Sequence, residues 1–195
     1  MKDIIKFGVL VVVMVKVSLM VMSGTIPLPN FVSNAIDIKK ITDGDTIQIQ
    51  GMGHFNYSTI LQTKKIIEEI YGQPTKIVQP IVLTSEYYTN GGIDSDKCLS
   101  DFDDNQNKIL VTNEICFSTD NDKVIAGQGE MYGNIVILGK VKPELIKQIL
   151  IHEIGHNQGF SHCDNPNCIM YPEIKNGEHK NFCEKCKKDY KKLDN

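Results

Sequence analysis

The spacing of apolar residues changes several times along the chain, and each change predicts a different element. Residues 4–22, IIKFGVLVVVMVKVSLMVM, are almost continuously apolar behind Lys2 and end at the small residues Ser23 and Gly24. That layout is a secretory leader or an uncleaved membrane anchor over residues 1–23, with Lys16 an unusual charge inside it. Residues 24–46, with Pro27 and Pro29, read as a linker. Strict alternation begins at Asp45-Thr-Ile-Gln-Ile-Gln50, as in a half-buried strand, and the folded domain is expected from residue 47 to 195. From Ser58 to Tyr71 the period becomes helical through Ile60, Leu61, Lys64, Ile67 and Tyr71, with Ser58 or Thr59 as cap and Gly72 as stop.

Ile77–Leu83 and Lys108–Thr112 are rich in β-branched residues and predict strands, the first pushed towards an edge or a break by Pro80. Between them, Tyr88–Asn107 carries two glycines and five aspartates and reads as a long surface loop. Val124–Gly127 and Asn134–Leu138 are two further strands. Gly127-x-Gly129-x-x-x-Gly133 has the wrong spacing for a dinucleotide fingerprint, and no helix follows it directly. Pro143 and Glu144 suit a first helical turn, and the helical period then runs through Leu145, Ile149, His152 and His156 to about residue 157, ending at Gly159.

That last helix carries the chemistry. Residues four apart share a helix face, so His152 and His156 can present both imidazoles to one metal ion. Glu153 sits beside the first of them, where a carboxylate can reach a metal-bound water without binding the metal, as a general base must. Gly159 lets the chain double back and bring His162 round as a third ligand. Three protein nitrogens leave one zinc position open, which marks a catalytic site. Met170 follows closely enough to form an apolar floor beneath it.

Composition narrows the rest. The 195 residues are 41% hydrophobic and 23% charged, enough for one domain with a real core. A net charge of -3 argues against nucleic-acid binding, and the lysine-rich end 185–192, diluted by Glu184 and Asp189, is a solvated face. Of six cysteines, Cys163, Cys168, Cys183 and Cys186 crowd the end of the chain with knuckle-like spacing. Four thiolates would saturate a structural zinc; two disulfides are the alternative. Cys98 and Cys116 are either a bridge, in an oxidising compartment, or buried thiols.

The run His152-Glu-x-x-His156-x-x-Gly159-x-x-His162 followed by Met170 resembles the metzincin clan of metallopeptidases. With Cys163, Cys168 and Cys183-x-x-Cys186 added, it is similar to the archaemetzincins within that clan. The resemblance implies a catalytic zinc on the three histidines and a structural zinc on the four cysteines, two per chain. The expectation is therefore an α/β (α+β) domain: a mixed, twisted sheet, an active-site helix and a small C-terminal part held by zinc. It would hydrolyse peptide bonds as a monomer, taking an extended peptide along a sheet edge. Its place would be outside the cell or at a membrane through residues 1–23, with the cytoplasm as the alternative. A zinc-bound interaction module without catalysis is the rival from another class, and Glu153 speaks against it.

Overall fold

Alternating residues Ile47–Met52 form strand β1, burying Ile47 and Ile49 on one face and exposing Gln48 and Gln50 to partial solvent. The computed structural model describes residues 46–89, 91–120, 122–173 and 181–193, with side chains as far as residue 189. Residues 1–45, where the leader and most of the linker are expected, lie outside the described residues. Among those described, no helix is long and apolar enough to cross a membrane.

After β1 come helix α1 (Tyr57–Tyr71) and strand β2 (Thr75–Ile81). Asn56, not Ser58 or Thr59, holds the cap position, and Gly72 ends the helix at φ 60°. The buried stripe is Ile60, Thr63, Ile66, Ile67 and Tyr71. Leu61 is exposed, and Lys64 lies at the flank, paired with Glu68. Strand β2 is an edge strand, which suits its Pro80.

The segment Tyr88–Asn107 is not a loop. It contains β3 (Tyr88–Thr89), β4 (Gly92–Asp94) and helix α2 (Ser95–Phe102). The side chain of Asp94 caps α2 by accepting the Lys97 N–H at 3.1 Å. Among the described residues of this segment, the buried apolar side chains are Ile93, Cys98 and Leu99. A short helix and two short strands need few apolar positions, so average polarity concealed them.

Strands β5 (Lys108–Val111), β6 (Cys116–Ser118), β7 (Lys123–Ile125), β8 (Gly127–Gly129) and β9 (Ile135–Leu138) follow. A 3-10 turn at Pro143–Leu145 leads into helix α3 (Ile146–Asn157), and α4 (Glu184–Leu193) closes the described chain.

Five strands form the main sheet in the order β2-β1-β5-β9-β8; four run parallel and β8 pairs antiparallel to β9 at the far edge. A second sheet, β3-β4-β6-β7, was not expected from the sequence. The central strands β5 and β9 are buried on both faces. Ile109, Val111, Val136 and Leu138 pack with α1 and α3, while Leu110, Ile135 and Ile137 pack with Cys98, Leu99 and Cys116 on the other face. A third cluster, Ile151, Phe160, Cys163, Cys168, Ile169, Met170, Phe182 and Cys186, holds the C-terminal part against α3.

Candidate active site

Helix α3 lies against β8 and β9, and its last turns carry His152 and Glu153, both buried, and the partly buried His156. Beyond Asn157 the helix is closed by paired hydrogen bonds: the Gly159 N–H donates to His156 O at 2.8 Å and the Phe160 N–H to Gly155 O at 3.0 Å. This is a Schellman closure with Gly159 in the left-handed region at φ 89°. The reversal brings His162, which is exposed, back over the helix. The ligand-capable nitrogens of His152, His156 and His162 all lie within 4.8 Å of one another.

Backbone carbonyls fix which nitrogen faces inward. The His152 Nδ1–H donates to Ile169 O at 2.7 Å, and the His156 Nδ1–H donates to Phe160 O, also at 2.7 Å. A carbonyl oxygen cannot donate, so the proton sits on Nδ1 and Nε2 keeps its lone pair. The two Nε2 atoms then face each other at 3.1 Å with no proton between them. Two lone pairs at that distance repel unless a cation lies between them. Tetrahedral zinc places neighbouring nitrogens about 3.3 Å apart, so the donor set fits that ion. Burial also lowers the pKa of His156 and of His162, keeping the rings neutral, as ligation requires.

Burial pushes the Glu153 carboxyl up to about 8, against a hydrogen bond from the Gly129 N–H that favours its charge. Strand β8 can approach this closely because it is glycine-rich. A Cβ on Gly129 would stand 2.5 Å from Glu153 O, and one on Gly127 would stand 2.7 Å from Ile149 and 3.0 Å from Glu153 Cγ. The Gly127-x-Gly129 pair, which carries no dinucleotide fingerprint, lets an edge strand lie against the active-site helix. Replacing Gly129 by Ala should cost about 1–3 kcal/mol of stability by forcing strand and helix apart. A melting temperature equal to the parent's would contradict this contact.

Met170 is fully buried, and its Sδ lies 2.6 Å from where a Cβ on Gly155 would stand. Glycine there lets the thioether sit under the turn between His152 and His156; a Cβ would force it to shift. The Cys163 N–H donates to Met170 O at 2.8 Å, so the methionine turn and the third histidine share one scaffold.

The four clustered cysteines meet as well. Cys163 and Cys183 sulfurs are 3.6 Å apart, Cys168 and Cys186 sulfurs 3.7 Å, and all six cysteines of the chain are free thiols. A disulfide needs about 2.05 Å, whereas thiolates on tetrahedral zinc stand about 3.8 Å apart. The donor set therefore fits a closed metal cage and not two cross-links. Burial raises the pKa of Cys168 and of Cys186, so without a dication these sulfurs stay protonated. Cys98 and Cys116 are fully buried away from this cage, and burial pushes both thiols up to about 12.

A family model described as Matrixin matches residues 81–194. The chain is 28% identical over 142 residues to archaemetzincin of Methanocaldococcus jannaschii, covering 64% of this chain and 78% of that protein. Its fold is similar to the crystal structure of archaemetzincin from Archaeoglobus fulgidus complexed with malonate. There the TM-score is 0.63 at 20% identity, over 72% of this chain and 97% of that one. For archaemetzincin from Methanopyrus kandleri the TM-score is 0.58 at 18% identity, over 78% and 97%.

Proposed function

The chain belongs to the Matrixin family of zinc metallopeptidases, with archaemetzincins among its relatives, and from that footing we propose how it cuts peptides. His152, His156 and His162 hold a catalytic zinc, Glu153 moves the protons, and Cys163, Cys168, Cys183 and Cys186 hold a second, structural zinc. The observation that carries this is the pair of facing Nε2 lone pairs 3.1 Å apart, with Glu153 the next residue along the helix.

Bound at the three histidines, zinc supplies Lewis acidity that acidifies water and polarises a scissile carbonyl. Everything else comes from the chain. The Ile169 and Phe160 carbonyls hold the imidazoles in orientation and make them stronger donors. Glu153 takes a proton from the attacking water and returns it to the leaving amine. The Gly129 N–H aims that carboxylate. Strand β8 ends the main sheet, so its outer edge offers backbone groups to an extended peptide beside Glu153. Four sulfurs leave no open position on the second ion, whose part is to tie α4 and the methionine turn to His162.

A purely scaffolding role leaves the burial of Glu153 unexplained, since a carboxyl there costs stability that a structural site has no reason to bear. The apolar leader of residues 1–23 is proposed to direct this domain to export or to a membrane surface. Metal analysis with zinc-edge X-ray absorption tests the site assignment. Two zinc ions per chain, in nitrogen-rich and sulfur-only environments, are expected. One ion per chain with no titratable thiols would overturn it.

A further inference from the structure

Strand β8 runs into a tight turn, Glu130–Gly133, closed by the Gly133 N–H donating to Glu130 O at 3.0 Å. Its third position holds Tyr132 at φ 60°, in the left-handed region where such a turn favours glycine or asparagine. The conformation is held from outside the turn: the Tyr132 N–H donates to His156 O at 3.2 Å. The ring lies over Gly159, where an added Cβ would come within 2.4 Å of it, so glycine at 159 is needed for the ring as well as for the backbone. Tyr132 is nevertheless 68% exposed, and its neighbour Met131 is 45% exposed.

A bulky aromatic is thus kept at a strained position, seated on the turn that joins two of the histidines, yet presents most of its surface to solvent. Core packing does not account for that arrangement, because the ring buries little. Backbone preference does not account for it either, because glycine would hold the turn at lower cost. A peptide laid along the outer edge of β8 passes this turn as it leaves the strand. We propose that Tyr132, flanked by Met131, is a specificity-determining residue: it forms one wall of a subsite for an aromatic or large aliphatic substrate side chain, held by ring stacking and thioether contact. This rests on the peptidase reading above, and it adds a residue and a substrate class to it.

The test uses Tyr132→Gly, which keeps the left-handed turn without strain and removes only the ring, beside Tyr132→Phe, which keeps the ring. Cleavage is profiled on peptides that vary one position at a time, with zinc content measured in parallel. In the parent, kcat/KM at one position is expected to favour an aromatic residue over alanine by about tenfold. That ratio should collapse towards one in Tyr132→Gly, mainly through KM, and persist in Tyr132→Phe. A parent that cleaves with no aromatic preference, or a Tyr132→Gly profile equal to the parent's, overturns the inference alone. So does loss of zinc or of kcat for every peptide alike in Tyr132→Gly, which would make the ring a prop for the Gly159 turn. A zinc-loaded parent that cleaves no peptide overturns the peptidase reading, and this inference with it.

Discussion

Glu153→Gln is expected to bind the same zinc as the parent, fold at least as stably and lose cleavage by about 10²–10⁴-fold. The substitution keeps shape and volume, and its amide oxygen can still accept the Gly129 N–H that meets the carboxylate now. It cannot take a proton from water. Because Glu153 is not among the histidine and cysteine groups that converge on a metal, the zinc content should not change. Stability should hold or rise, since burial disfavours the charged carboxylate and an amide carries no charge at any pH. The loss should appear in kcat more than in KM, as for a group acting in the transition state. Cleavage within tenfold of the parent would remove Glu153 from the proton-transfer role.

Cys168→Ser should have the largest effect on stability. Its sulfur is fully buried, accepts the Cys183 N–H at 3.3 Å and stands 3.7 Å from Cys186. A serine oxygen is a poor fourth ligand beside three thiolates, so the structural zinc proposed there should be lost. Structural zinc contributes on the order of 10 kcal/mol in small metal-dependent folds. Here the cluster around Phe160, Ile169, Met170 and Phe182 retains part of the packing. The expected cost is therefore about 4 kcal/mol, or about 8–16 °C in melting temperature for a chain of this size. Activity should fall too, because Cys163 and Met170 are joined by a backbone hydrogen bond one residue past His162. A variant that keeps two zinc ions, or melts with the parent, would show that the cage is not a metal site.

Much of this site is legible in the chain because its geometry is local. His152, Glu153 and His156 follow from helical spacing alone, and Gly159 from the reversal that His162 requires. The resemblance to archaemetzincins, read from that run together with Cys163, Cys168, Cys183 and Cys186, is borne out by the relatives, and the mixed sheet with its active-site helix by the fold. Strands β1, β5 and β9 are legible too, being alternating or continuously apolar.

The rest depends on partners distant in sequence. The second sheet draws on Gly92–Asp94 and Cys116–Ser118, too short to show a period, and α2 buries few large side chains within a stretch dominated by aspartate. Gly129 gains meaning only when β8 lies on α3, twenty-four residues later in the chain at Glu153. Tyr132 is unremarkable as a letter. Its φ of 60° and its seat on Gly159 exist only in the folded chain.

The most direct test of the central claim is cleavage of a mixed peptide library by zinc-loaded protein, read by mass spectrometry beside a chelator-treated sample restored with zinc. Hydrolysis that disappears with the chelator and returns with zinc is the predicted result. A protein carrying its full complement of zinc that leaves every peptide intact would contradict it.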